Sequence, residues 1–461
     1  MSLIATFIVP HPPIVVPMIG GERQKEIQKT VDAFEEIGTK IAELKPDVII
    51  VTSPHSVLYS DYFHISPGEH AQGDFKEFGA PNLKFAVDYD SDLAESISEN
   101  AKTMGISAGT LGERNKNLDH GTMVPLYFIN QYYQNYKLVR VSLSGLSSLI
   151  HYRFGKCIAQ AAQQSEKRII LIASGDLSHK LKENGPYGLS KEGPIFDSEL
   201  TKAISEGDFL RFMTFDEDFA EAAAECGLRS FIIMAGALDG KAVNPKLLSY
   251  EGPFGVGYAV ASFNILGEDD SRYFDQIFEL SEERQLEKTK ETEDDFVKLA
   301  RESLEHFVKS KQFIKRPNDI SMELMNQKAG VFVSLKIGGK LRGCIGTISP
   351  TRDCIADEII HNAVSASMED PRFEAVRVNE LAQLVYSVDV LGKAYPISSK
   401  DELDIKRYGV IVNSNGRRGL LLPNLEGVDT PEQQVSIALQ KAGISSHEDY
   451  RMERFEVVRH K

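Results

Sequence analysis

Short apolar runs alternate with helical spacings along the first part of the chain. Thr6-Phe7-Ile8-Val9 reads as a strand, and Gly21 to Leu44 then carries a helical spacing with charges on one side. Val48-Ile49-Ile50-Val51-Thr52 is β-branched throughout, the pattern of a strand covered on both faces. Leu138 to Val141 and Ile169 to Ala173 read as further strands, with helical segments near 91–104, 151–165 and 197–206. Strand and helix in alternation predict an α/β domain with a largely parallel sheet over residues 1–265.

Near residue 266 the pattern changes. Leu266 to Lys290 holds eight acidic and four basic residues, which predicts a charged linker with solvated helix surface over 266–290. An amphipathic helix follows at Asp294 to Lys309. Strands are expected at Gly330–Ile337, Ala382–Leu391, Gly409–Val412 and Gly419–Leu422, and helices near 353–367 and 431–442. Residues 291–461 therefore read as a second, smaller domain of α+β class.

Composition narrows the function. The 461 residues carry a formal charge of −15. By count about −13 of it falls in residues 1–290 and about −2 in 291–461. Without a long basic stripe, the chain is not expected to bind nucleic acid. The four cysteines, Cys157, Cys226, Cys344 and Cys354, form no Cys-x-x-Cys pair and are too scattered for a disulfide framework. They fit a reducing, cytoplasmic setting. Leu3 to Val9 has no basic residue before it and is broken by Pro10, Pro12 and Pro13, which argues against a signal peptide. Met1-Ser2-Leu3 reads as a short added leader. No apolar run reaches 18 residues, so no membrane span is expected.

Histidine placement is the strongest chemical signal. Seven of the eleven histidines lie in the first 179 residues. His11, His55 and His179 each stand just after an apolar strand. Parallel strands present their carboxyl ends on one edge, where ligands bind, so these side chains are placed to converge. Two histidines and a carboxylate form the ligand set of non-haem Fe(II) enzymes that keep positions open for substrate and dioxygen. The best-placed carboxylate to join two such histidines is Glu225, an acid among small apolar residues that needs a partner. Cys226 is the rival ligand. His120 is a further candidate. Asp176 either orients His179 or caps its own turn. His64, His70 and His151 lack the strand-end placement and are expected on the surface or in loops.

Together these pieces carry a resemblance. Pro10-His11-Pro12, Ser53-Pro54-His55, Asp119-His120-Gly121, Ser174-Gly175-Asp176-Leu177-Ser178-His179 and Glu225-Cys226-Gly227 occur in the order of LigB-type class III extradiol dioxygenases. The resemblance covers about residues 3–265. It implies iron on His11, His55 and Glu225, with His120 and His179 handling substrate and protons, and a small catechol-like or aminophenol-like substrate together with O2. Memo proteins are similar and place a cysteine followed by glycine at the third metal position, which Cys226 matches. The implied alternative is a metal-binding or regulatory protein without ring cleavage. Lys340-Leu341-Arg342-Gly343-Cys344-Ile345-Gly346-Thr347, Glu369-Asp370-Pro371-Arg372-Phe373 and Gly416-Arg417-Arg418-Gly419 resemble an AMMECR-type domain. There Arg342, Cys344, Asp370 and Arg372 form a second candidate site, in which Arg342 is expected to lower the Cys344 thiol's pKa. The joining of the two families implies a pathway shared with a radical S-adenosylmethionine protein. Another divalent metal in place of iron, and a homo-oligomer, are left open.

Overall fold

A computed structural model describes residues 3–425 and 427–461. Met1 and Ser2 of the expected leader lie outside them. The chain divides into two compact units between Ser281 and Glu282.

The strands of the first unit are β1 (Leu3–Val9), β2 (Val48–Ser53), β3 (Phe63–His64), β4 (His70–Phe75), β5 (Ala80–Asp88), β6 (Ala108–Gly109), β7 (Lys137–Ser142), β8 (Ile169–Ser174), β9 (Lys241–Glu251) and β10 (Tyr258–Glu268). The main sheet runs β7-β2-β8-β1-β10-β9. Its first four strands are parallel, and β10 and β9 add on antiparallel, so the sheet is mixed. β2 and β8 are buried along their whole length. Alternate residues feed two cores. Val48, Ile50, Ile169 and Leu171 pack under helices Ser91–Thr103, Ser148–Gln164 and Leu228–Ala237. Ile49, Val51, Ile170 and Ile172 pack under helices Gln28–Leu44 and His120–Ile129. Each fully buried Ile or Val contributes roughly 1.5–3 kcal/mol, which is why all-apolar strands sit at the sheet's centre.

Pairing fixes the level of the strand ends. Val9 lies opposite Ser174, and Thr52 opposite Ala173. The chain leaves β1, β2 and β8 at one height on one edge, immediately before His11, His55 and the 175–179 turn.

Arg140 breaks the apolar pattern of β7 and is 2% exposed. Its guanidinium donates to Ser66 Oγ (2.7 Å) and to the carbonyls of Asn117 (2.6 Å) and Asn115 (3.2 Å). It also pairs with Glu113 at 3.5 Å. A buried cation with this many partners holds the loop that leads into His120.

Histidines set aside from the sequence divide. His70 is exposed and pairs with Asp88, as expected. His64 and His151 are instead fully buried. His64 ends β3, and the His151 ring is satisfied by Ser147 O and Ser144 N.

The charged stretch 266–290 is mostly folded. β10 continues to Glu268, and a helix spans Phe274–Glu291. Asp275 is buried beside Lys156 (2.7 Å), and Glu279 meets Arg153 (2.6 Å). Its first charges thus belong to the first unit.

The second unit comprises β11 (Val331–Ile337), β12 (Lys340–Gly346), β13 (Val385–Leu391), β14 (Tyr395–Ile397), β15 (Tyr408–Ser414), β16 (Arg417–Leu421) and β17 (Arg451–His460). The antiparallel order is β12-β11-β13-β17-β15-β16, with β14 on β17. Helices Asp295–Ser310 and Ile355–Met368 cover β11 and β13, and helix Pro431–Ala442 covers β15 and β16. No helix among the described residues is long and apolar enough to cross a membrane.

Two outcomes are expected. A fragment ending at Ser281 should melt cooperatively. One ending at Ile265 loses the end of β10 and the Asp275 and Glu279 pairs, and should melt roughly 5 °C or more lower. Equal calorimetric midpoints would make 266–281 dispensable. The second concerns Asp197, which accepts from Ser178 N (2.8 Å) and the Tyr250 hydroxyl (2.7 Å). Burial pushes its carboxyl up to about 7 from 3.8. The folded state keeps a proton that the unfolded chain releases, so this group makes stability fall as pH rises from about 4 to about 7. Asp197→Asn should flatten that fall by about one proton's linkage. An unchanged slope of stability against pH would show that Asp197 ionises freely in the fold.

Candidate metal centre and adjoining cleft

Three segments meet at the edge defined by β1, β2 and β8. His11 follows Val9 and Pro10 and is 2% exposed. Its backbone N–H donates to Asp176 Oδ1 (2.8 Å). Ser174 Oγ donates to Gly121 O (2.6 Å) and lies 3.0 Å from His11 Nδ1. With its own proton committed, Ser174 accepts from Nδ1–H, which leaves Nε2 of His11 with a bare lone pair. That nitrogen faces Nε2 of His55 at 3.0 Å and Sγ of Cys226 at 3.6 Å. Burial, followed by the neighbouring His55, His120 and His179, holds His11 well below the usual imidazole range. Burial lowers His55 too, against a nearby Asp119.

Cys226 reaches the cluster through a close backbone approach. A Cβ on Gly175 would lie 2.1 Å from the Cα of Gly227, so only glycines allow these two chains to touch. Cys226 N donates to Asp176 O (3.3 Å), and Asp176 N donates to Cys226 Sγ (3.3 Å). His11, His55 and Cys226 form one group whose ligand atoms lie within 4.8 Å of one another, and Asp176, His179 and Cys226 form another.

Glu225, the expected third ligand, belongs to neither group among the described residues. Its carboxylate accepts from Leu228 N (2.6 Å) at the start of helix Leu228–Ala237. Helix N-termini leave amides unpaired, and Glu225 satisfies one of them. Burial pushes the carboxyl up to about 7. The residue facing the histidines is the rival, Cys226.

His179 lies beside the cluster. Its Nδ1 donates to Ala224 O (2.6 Å), leaving Nε2 as acceptor. Ala224 adopts φ +53°, a left-handed conformation that ends helix Glu217–Ala223 and turns its carbonyl to the imidazole. Ala224, rather than Asp176, therefore orients His179. Asp176 holds the His11 backbone, and burial pushes its carboxyl up to about 7.

His120 is the first residue of helix His120–Ile129. Asp119 caps that helix through Thr122 N (3.0 Å) and accepts from Ser53 Oγ (2.5 Å), tying it to the end of β2. The His120 ring lies 4.0 Å from that of His55 and 5.4 Å from that of His11. Burial, then His55, holds His120 down to about 4. A cleft of about 600 Å3 opens beside His55 and His120, walled by Phe78, Phe85, Lys84, Asn115 and Asn117. The β4–β5 hairpin that forms much of it was not anticipated from sequence. Nor was the role of Ser174, although it lies within a motif already singled out.

The donor set suits a transition metal. Two neutral imidazoles and a thiol present lone pairs to one point, with Ser174 and the Asp176 amide fixing their orientation. Burial raises the Cys226 thiol's pKa, a direction that a coordinated cation reverses.

In the second unit, Cys344 lies within β12. Arg342 is committed to Glu380 (2.7 and 3.1 Å) and to Glu374 O. The guanidinium that favours the Cys344 thiolate is that of Arg372, which Asp370 grips at 2.9 and 2.7 Å. Asp370 also accepts from Cys344 N (2.9 Å). Burial outweighs Arg372, and the Cys344 thiol's pKa is raised. The expected activation by Arg342 is not there.

Comparisons with known proteins agree with these two units. The family model for the catalytic LigB subunit of aromatic ring-opening dioxygenase matches residues 5–261, and that for AMMECR1 matches 297–460. A protein of Clostridium acetobutylicum is 43% identical over 469 residues, covering 100% of both chains. A protein of Thermotoga maritima is 46% identical over 168 residues, covering 36% of this chain and 97% of its own. The 2-aminophenol 1,6-dioxygenase beta subunit of a Pseudomonas is 27% identical over 294 residues, covering 58% of this chain and 95% of its own.

Metal analysis of freshly purified variants tests the ligand set. His11→Ala and Cys226→Ala should each weaken binding of one divalent ion by roughly 100-fold or more. Glu225→Ala should keep the ion and lose about 1 kcal/mol of stability as a missing helix cap. A folded Glu225→Ala protein without metal would restore the carboxylate as ligand.

Proposed function

Because the chain belongs to the family of the catalytic LigB subunit of aromatic ring-opening dioxygenases, with an AMMECR1 domain behind it, we propose that its first unit is a metal-dependent oxidoreductase. Its substrate is a small aromatic compound with adjacent hydroxyl or amino groups, and its co-substrate is O2. The observation that carries this reading is the meeting of a metal donor set with two further histidines, His179 beside Cys226 and His120 on the wall of a cleft. His11, His55 and Cys226 would hold a divalent metal, Fe(II) first, which would supply Lewis-acid chemistry toward a phenolic oxygen and dioxygen.

The remaining steps fall to the chain's own groups. His179 offers a bare Nε2 and takes the phenolic proton, because its Nδ1 proton is fixed on Ala224 O. His120, on the cleft side, holds the substrate and is the second proton carrier. Both are neutral at pH 7, since burial lowers each. The kinship with a 2-aminophenol dioxygenase subunit makes 2-aminophenol the first substrate to try.

One observation favours a second reading. A thiol at the third position is the Memo-like arrangement, in which the unit binds metal for a regulatory role without ring cleavage, alongside a radical S-adenosylmethionine protein.

Oxygen uptake with catechols and aminophenols, on protein loaded anaerobically with Fe(II), separates the two. The first reading expects uptake with at least one of them. His179→Ala at equal metal occupancy should then lose roughly 10²-fold or more in turnover, and His120→Ala should weaken binding and rate together. No uptake by fully loaded protein would leave the Memo-like reading.

A further inference from the structure

Two exposed aromatic rings stand against the two histidines that are not in the His11–His55–Cys226 group. Phe78 meets His120 edge-on, with centroids 5.3 Å apart and planes at 63°. Tyr187 meets His179 the same way, at 5.1 Å and 87°. Phe78 is 36% exposed and Tyr187 61% exposed. Between them the rings run Phe78, His120, His55 and His11, with His179 and Tyr187 beyond Cys226. Each ring thus touches a histidine that adjoins the metal donor set.

Both rings are mounted alike. Phe78 closes the 3-10 turn Lys76–Phe78 between β4 and β5 and is followed by Gly79 at φ +83°. Tyr187 sits in the loop after His179 and is followed by Gly188 at φ +75°. A Cβ added at either glycine meets nothing within 4 Å, so glycine serves the backbone turn there rather than relieving crowding. The Tyr187 loop is closed by Leu181 pairing with Leu189 and by Ser190 N donating to Lys180 O (3.2 Å). No hydrogen bond holds the Tyr187 hydroxyl among the described residues.

Phe78 also meets the core ring Phe75 edge-on at 6.0 Å, yet both rings leave apolar surface in water, Phe78 on the cleft wall and Tyr187 beside His179. That arrangement is stabilised once a third ring enters. We propose that Phe78 and Tyr187 are specificity residues, the two side walls that receive a planar aromatic ring over the metal site. This rests on the reading of the first unit as acting on an aromatic compound. It adds the groups that select a flat ring over an aliphatic chelator of equal donor strength.

The probe is 4-nitrocatechol, whose visible absorption shifts when it chelates, titrated anaerobically into Fe(II)-loaded full-length protein. Phe78→Leu and Tyr187→Leu should each weaken it roughly 3- to 10-fold with metal stoichiometry unchanged, and Tyr187→Phe should bind as wild type. An aliphatic chelator, acetohydroxamate, should bind all these proteins equally. The chain has no tryptophan, so emission from Tyr187→Trp should be quenched with the same midpoint as the absorption change. Leucine variants that bind 4-nitrocatechol like wild type would overturn the walls while leaving the metal reading intact. Leucine variants that lose metal would make the rings supports of the fold, which also overturns the proposal. If loaded wild-type protein gives no absorption shift at all, the aromatic-substrate reading fails first and the walls fall with it.

Discussion

Two imidazole nitrogens lie 3.0 Å apart inside the protein, and the surrounding structure answers to that contact. Two bare lone pairs at this distance repel, and two N–H groups would clash, so the pair must share a proton or a cation. Burial disfavours protonating His11 or His55. Ser174 removes the remaining freedom by committing its own proton to Gly121 O and taking the Nδ1 proton of His11. A neutral His55 can donate its own Nε2–H to His11, and a cation taking that proton's place would meet both nitrogens with a sulfur at 3.6 Å from His11 Nε2. A soft or borderline divalent cation suits such a point better than Mg2+ or Ca2+, which prefer oxygen.

Bringing the sulfur there is a backbone problem. Cys226 is 215 residues from His11 in sequence. The chain solves this by laying the 223–227 segment against the 175–179 turn with hydrogen bonds in both directions. Ser178 Oγ and His179 N reach Ala223 O, and Cys226 N reaches Asp176 O. The contact between Gly175 and Gly227 permits it, and the left-handed Ala224 turns a carbonyl onto His179. Cys226 and His179 are therefore positioned by one backbone junction. A side chain at either glycine would displace both.

The parts of this that were readable from sequence follow from periodicity. The all-apolar strands β2 and β8 announced a sheet covered on both faces, and strand ends in a parallel sheet converge whatever their separation in the chain. His11, His55 and His179 could thus be placed together without a structure. The antiparallel pair β9 and β10 was missed, since β9 is only partly buried and lacks a clean apolar run. The third ligand depended on which of two adjacent side chains turns inward. Glu225 and Cys226 are one residue apart, and no periodicity governs a loop between two helices. Glu225 turns to the helix start, where it satisfies an amide that would otherwise stay unpaired, while the Cys226 sulfur faces His11. Arg140 was visible as a charge in an apolar strand, but its partners lie in a loop whose path carries no pattern.

The two units show how little a cysteine's residue type says about its chemistry. Cys226 and Cys344 are both largely buried, and burial raises the pKa of both thiols. Their neighbours differ in kind. Around Cys226 stand imidazole nitrogens, which supply electron pairs and no compensating positive charge, so the thiolate gains stability only with a cation. Around Cys344 stand Ser334 Oγ at 3.2 Å and the Arg372 guanidinium, whose charge Asp370 already offsets. Arg459 nearby is held in the same way by Asp389. Each positive charge there is paired, so neither cation is free to stabilise a thiolate fully, and Cys344 belongs to no group of three metal-donor side chains among the described residues. The surroundings therefore favour a coordinated thiolate at Cys226 over one at Cys344, whose thiol sits in its sheet among paired charges.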